Sequence, residues 1–394
     1  RRTGQTLAAR SFRAQVDVHA ILQLAPEADL PAVLARERLR LVRTLSHAAR
    51  LYKVAAVGGE DGLRIASRLA NAAGVLEALP DLHVPRVRHS ISIPPNDPQY
   101  GAQWYLKKLQ LEKAWRHATG DPDTIVVVID DGCDLKHPDL QANLLGGTDL
   151  VDDDDEPSYA PGARGNNHGT ACSGLIAARA DNGVGIAGVC PECSLRCVRL
   201  LPADGTAVPI SRDVEAFDYA LRIGAAVVSN SWGFGGGMRV PEALRSLITR
   251  LFTEGRGGKG TLVLFSAGNE DRELKSEEID GVTGVLSIGA INNFDEAAPF
   301  SNFGESLDLT APAGTYTTDI SGPDGDNSSD YTSLFGGTSS ACPIAAGVAA
   351  LVMSARKDMT ASEVSELLLQ TARKAPYARP DSTGHDPTYG YGII

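Results

Sequence analysis

The sequence predicts an α/β fold, a parallel sheet with helices on both faces, preceded by a small α+β unit. Three observations carry that prediction. From residue 124 onward, short apolar runs at 124–129, 195–200, 225–228, 261–265 and 285–288 alternate with helical stretches, the pattern of strands buried on both sides. Polar, glycine-flanked motifs end several of these strands, and an open parallel sheet builds its site beyond the carboxyl ends of its strands. The stretch Arg86-Val87-Arg88-His89-Ser90-Ile91-Ser92-Ile93-Pro94-Pro95 separates this pattern from a different one before it.

In that first part, residues 14–24 alternate as a strand and 30–45 have helical spacing. Residues 51–57 read as a second strand, 61–76 as a second helix, and 83–87 as a further short strand. About 80 residues suffice for a modest core. The expected organisation is therefore an α+β unit over 1–88, a linker over 89–96 and the main domain over 97–394.

Charge divides the same way. The 394-residue chain carries a formal −12, with +6 on residues 1–88 and −18 on the rest. A basic unit beside an acidic body suggests that the two complement each other electrostatically, and so acidic a body argues against nucleic acid. No apolar run reaches the roughly 18 residues of a membrane span. Of the six cysteines, Cys190-Pro191-Glu192-Cys193 with Cys197 nearby reads as a zinc fragment, a redox pair or a local disulfide. Without a second pair to complete a zinc site, a disulfide or free thiols are favoured. Cys133, Cys172 and Cys342 lie inside the polar motifs and read as buried packing.

Four motifs bear chemistry. Asp130 ends an apolar strand before Asp131-Gly132, and His168 stands in Asn167-His168-Gly169-Thr170 ahead of a small-residue helix. Ser231-Trp232-Gly233 and Ala267-Gly268-Asn269 follow two further strands. Finally, Gly336-Gly337-Thr338-Ser339 opens a helix with Pro343 in its first turns, so Ser339 meets free backbone N–H groups and the positive end of the helix dipole. Singly, each reads equally well as a cap or a turn. Together they supply a nucleophile, a base, an orienting carboxylate and an amide donor, in the order Asp, His, Ser.

In these motifs the chain, from about Pro94 to Ile394, resembles the subtilisin-like serine proteases, which implies their three-layer fold. The resemblance implies that Asp130 orients the imidazole, His168 acts as general base and acid, Ser339 attacks, and Asn269 donates to the oxyanion. It also implies that Ser231, Trp232 and Gly233 pair with substrate backbone. Asp130-Asp131-Gly132 and Trp232 are similar to the kexin and furin branch. There Asp280, eleven positions after Asn269, implies a pocket favouring Arg or Lys before the cut, and Asp131 a preference for a basic residue one place further back. Gly236 and Gly165 depart from that branch, each standing where an acid is expected.

The resemblance further implies a calcium site from Asp97, Asp139 and Asn182 with backbone carbonyls near Arg179, Val184 and Ile186. The acidic run 152–156 reads as a solvated loop rather than a second cation site. Residues 1–88 are similar to a family prodomain that assists folding and then blocks the site, with Arg88 marking the junction. The implied protein is a secreted or periplasmic endopeptidase made as a zymogen, acting on protein or peptide substrates and inhibited by its own prodomain. Two other functions stay open on the same fold: a transpeptidase or macrocyclase, and a pseudoprotease that only binds.

Overall fold

The computed structural model describes residues 15–83, 91–162, 165–235 and 237–394. The chain forms two compact units, 1–89 and 90–394.

In the first unit, β1 (Gln15–Leu24), β2 (Leu39–Ser46), β3 (Leu51–Ala56) and β4 (Val75–His83) make an antiparallel sheet in the order β2-β3-β1-β4. Ala20, Leu22 and Leu24, alternate residues of β1, face a core completed by Val54 and by Ile65 and Leu69 of the helix Gly62–Leu69. Two helices end sooner than their spacing predicts. The first stops at Arg36, the chain reverses through Arg38 at φ 54°, and residues 39–46 pair as a strand with β3. The second stops at Leu69, and Gly74 at φ 77° leads into β4. The last strand therefore begins at Val75, and its expected continuation over 84–87, with Arg86 and Arg88, lies outside the described residues.

The second unit is built on a seven-stranded parallel sheet. Its strands are β5 (Ile125–Asp130), β6 (Leu144–Asp149), β7 (Ser194–Arg199), β8 (Val227–Asn230), β9 (Leu262–Ser266), β10 (Val285–Ile291) and β11 (Leu309–Pro312), in the order β11-β10-β9-β8-β5-β7-β6. All six pairings are parallel. The pleat sends alternate residues of β5 to opposite layers. Val126 and Val128 join one core with Leu175 and Ile344, while Val127 and Ile129 join another with Phe217 and Ile248. The outermost strands β6 and β11 escaped the sequence reading, because one carries Gly146-Gly147 and the other is a four-residue segment ending in proline.

The helix Thr338–Ala355 runs through the first of these cores. Among the described residues it is the one helix long and apolar enough to cross a membrane, extending past the break expected at Ser354, and 72% of it is buried inside the unit. Cys190 and Cys193 form a disulfide, while Cys133, Cys172, Cys197 and Cys342 are buried free thiols.

Candidate active site

Because the sheet is parallel, β5, β8 and β9 deliver Asp130, Asn230 and Ser266 to one edge, with the polar motifs just beyond. Asp130 is 1% exposed, and its Oδ1 lies 2.8 Å from Nδ1 of His168, the first residue of the helix His168–Ala177. The other Asp130 oxygen is buried with no hydrogen-bond partner among the described residues. Burial alone would lower the His168 pKa, but the Asp130 carboxylate outweighs it and holds the imidazole well above its ordinary value. The Phe335 ring meets the imidazole edge-on at 5.2 Å.

Asp131 also has a structural part. Its two oxygens accept the backbone N–H groups of His168 (3.2 Å) and Gly169 (2.7 Å), so it caps the helix that carries the base. It is 7% exposed, and the two helix amides hold its carboxylate in place. Burial, then the adjoining Asp130, raises its pKa.

Ser339 sits in the first turn of the helix Thr338–Ala355, and its hydroxyl donates to the Ser231 carbonyl (3.1 Å). Cys172 touches both of these segments, with Sγ 4.0 Å from His168 Nδ1 and 3.7 Å from the Ser339 carbonyl oxygen. The orientation of Asn269 is set by its neighbour. Its Oδ1 accepts from the Thr338 N–H (2.8 Å) and hydroxyl (3.1 Å), and since a backbone N–H can only donate, the Nδ2 group is the end left free among the described residues. Gly337 makes room for this contact. Its φ is 70°, and a Cβ there would stand 3.1 Å from Asn269 Oδ1. Sequence reasoning passed over Thr338, although it lies within the serine motif.

A cleft of about 610 Å³ opens beside Ser339 and Asn269. Ser231, Trp232 and Gly233 form one wall, with the Trp232 indole anchored by donating to the Ile129 carbonyl (2.9 Å). Asp280 also lines the cleft, 8% exposed, accepting from the Ser287 hydroxyl (2.7 Å). Burial pushes its pKa up to about 6, and it forms no ion pair among the described residues. Arg272 and Glu278 also line the cleft, and no sequence motif announced them. Gly236 lies outside the described residues, and Gly165 is exposed.

The six residues expected around calcium do come together. Asp97 accepts from the N–H groups of Asp181 (2.8 Å) and Asn182 (3.3 Å). Asp139 accepts from Asn182 Nδ2 (2.8 Å) and the Ile186 N–H (2.9 Å), and its own carbonyl accepts from Arg179. The Val184 N–H donates to Asn182 Oδ1 (2.8 Å). Asp97 and Asp139 are 4% and 0% exposed, and neither forms an ion pair among the described residues. The acidic run is a loop pinned by cations, Asp152 to Arg199 (2.5 Å) and Asp153 to Arg212 (2.6 Å).

Comparison with known proteins agrees with this geometry. Residues 121–392 match the model of the Subtilase family. A calcium-dependent protease of Trichormus variabilis is 31% identical over 92% of this chain and 59% of its own length. The human proprotein convertase subtilisin/kexin type 4 is 31% identical over 78% of this chain and 43% of its own. A solved structure of a protease from Pseudoalteromonas arctica superposes with a TM-score of 0.64 at 27% identity, over 76% of this chain and 96% of that one. The chain thus spans little more than half of the calcium-dependent relative. With a parallel sheet that gathers Asp130, His168, Asn269 and Ser339 at one edge and a family match over 121–392, the chain belongs to the subtilase family of serine proteases.

Proposed function

We propose that this protein is a serine endopeptidase working through Asp130, His168 and Ser339. The observation that carries the reading is the 2.8 Å bond from His168 Nδ1 to buried Asp130, beside a serine at a helix N-terminus. That bond holds the imidazole with its proton on Nδ1, so Nε2 is free to accept. For attack, the Ser339 hydroxyl turns from the Ser231 carbonyl toward Nε2. Its oxygen adds to the scissile carbonyl as the proton passes to His168. The developing oxyanion takes hydrogen bonds from the Ser339 N–H and Asn269 Nδ2. His168 then protonates the leaving amine, and water hydrolyses the acyl-enzyme by the same route.

Ser231, Trp232 and Gly233 would hold the substrate as an added strand. Asp280 would select Arg or Lys before the cut, because a buried carboxylate whose nearby cation, Arg272, is paired with Glu278 instead is relieved by a substrate cation. Exchanging Asp280 for Asn should reduce the ratio of kcat/KM for Arg over norleucine peptides by about a hundredfold, the scale of losing a buried charge pair. An unchanged ratio would remove Asp280 from the specificity.

Residues 1–88 would act as prodomain and intramolecular inhibitor, their +6 complementing the −18 of the remainder. Secretion or periplasmic location agrees with the Cys190–Cys193 disulfide. The direct test of activity and processing is the intact mass of refolded protein beside its Ser339→Ala variant. A cut near Arg88 in the wild type alone is expected. The same cut in both, or in neither with no peptide turnover, would count against self-processing by Ser339.

Calcium fits the Asp97–Asp139 site in its donors, two buried carboxylates that lack a counter-charge with an amide and backbone carbonyls close by. Asp97, Asp139 and Asn182, with carbonyls of the 179–186 loop, would hold it, and the ion would tie that loop to the domain. At about one hundred times Kd the ion contributes about 2.7 kcal/mol, so chelation should lower Tm by roughly 4 °C in a unit of this size. Asp139→Asn should abolish that calcium dependence, and a calcium shift that survives the variant would place the ion elsewhere.

A further inference from the structure

Arg272 and Glu278 face the cleft of Ser339 without a part in the reading above. They grip each other through two parallel bonds, Nη1 to Oε1 at 2.9 Å and Nη2 to Oε2 at 2.7 Å. The Glu278 side chain is 5% exposed and that of Arg272 32%, so a buried carboxylate is capped by a guanidinium that still reaches the solvent of the cleft. Its placement is specified from several sides. Arg272 Nη1 also donates to the Glu273 carbonyl (3.2 Å), and the Arg272 backbone N–H donates to Asn302 Oδ1 (3.1 Å). Gly237, at φ 70°, closes over the pair, where a Cβ would stand 3.1 Å from Glu278 Oε1 and 3.8 Å from Arg272 Nη1.

Two residues beyond Glu278, Asp280 occupies the short turn Ile279–Gly281. The cleft wall thus holds two buried acids side by side, and the protein's own guanidinium has taken one of them. A guanidinium bound bidentately to a carboxylate is also how the arginine of a substrate would be held.

We infer that Arg272 is a specificity-determining residue, a built-in stand-in for a second basic side chain of the substrate. By occupying Glu278 it leaves Asp280 as the one buried acid of the cleft, among the described residues, that is open to a cation. The enzyme is thereby restricted to a single basic residue, and Glu278 is a masked second subsite. The inference rests on the Asp280 reading.

The test compares peptides with Arg before the cut alone against a series in which a second Arg is walked through the neighbouring positions. In the wild type, the second Arg should change kcat/KM by less than about threefold everywhere, because both buried acids are already assigned and the other two acids of the lining, Glu270 and Glu273, are exposed and screened by solvent. In Arg272→Ala it should raise kcat/KM by about tenfold or more at one position, and millimolar guanidinium should erase that gain. Glu278→Gln should do the converse. It turns an unpaired Arg272 toward the cleft and lowers the ratio of Arg to norleucine turnover about tenfold, and the double variant Arg272→Met with Glu278→Gln should restore it. If Arg272→Ala fails to fold, because Glu278 is left buried and unpaired, the Glu278→Gln and double-variant arms decide. Two negative results separate the layers of the argument. If Asp280→Asn abolishes Arg preference while neither Arg272→Ala nor Glu278→Gln changes selectivity, the Arg272 assignment falls alone. If the wild type is indifferent to Arg and Asp280→Asn changes nothing, the Asp280 reading falls and this inference with it.

Discussion

Replacing Ser339 with alanine is expected to lower kcat by roughly a millionfold, and replacing Asp130 with asparagine by roughly ten-thousandfold. Both magnitudes are those of the same triad in well-studied proteases, subtilisin among them, rather than derived for this chain. The asymmetry has a physical basis. Without Ser339 no acyl-enzyme forms. Without the Asp130 charge the nucleophile and base remain, but the imidazole loses the partner that keeps its proton on Nδ1 and stabilises its charged form.

Asp130→Asn should also move the pH profile. His168 acts only when neutral, and Asp130 raises its pKa well above the ordinary value against the opposing effect of burial. The acidic limb of kcat/KM in the wild type should therefore lie above about 6.5, the unperturbed imidazole value, and the variant should shift it downward. Stability runs the other way. The imidazolium paired with Asp130 stabilises the fold fully below the unfolded pKa of about 6.5, and that contribution disappears as pH rises through the higher folded value. Stopped assays from pH 5 to 9 on both proteins, with thermal melts at each pH, check both signs. A limb unmoved by the substitution would show that Asp130 does not set the His168 charge.

Replacing Asn269 with alanine is expected to lower kcat by about a hundred- to a thousandfold with little change in KM. That is the effect of one oxyanion donor, a figure established on subtilisin itself and carried over here. Asn269 is exposed, so the variant should melt near the wild-type temperature. The geometry adds a second expectation that the motif alone does not contain. Thr338 orients the amide by donating to Oδ1 from both its N–H and its hydroxyl. Thr338→Val retains the backbone bond and loses the hydroxyl, which also accepts from the Gly268 N–H (3.1 Å), so it should cost about tenfold or more in kcat, the worth of one to two hydrogen bonds. If Asn269→Ala raised KM instead and left kcat alone, the residue would bind substrate rather than stabilise the transition state.

Much of this protein was legible without coordinates. Apolar runs alternating with helices gave the parallel sheet. Asp130, His168, Asn269 and Ser339 were each marked by glycine neighbours where backbone must turn or approach closely, as at Gly337. Local chemistry of that kind is written in consecutive residues. Elements whose identity rests on pairing were not. Residues 39–46 look helical by spacing, yet hydrogen bonds from β3 make them a strand, and the edge strands β6 and β11 lack the apolar run that marks a strand buried on both faces. Charge pairing lies further still from sequence. That Asp131 caps a helix is visible only once the N–H groups of His168 and Gly169 are seen to reach it. Whether Glu278 adds charge to the cleft depends on the guanidinium of Arg272, six residues away and folded back across the wall. The sequence determined which chemical groups were available, because motifs are local. Tertiary structure alone decided which of those groups remain free to act, because a buried charge is defined by its partners.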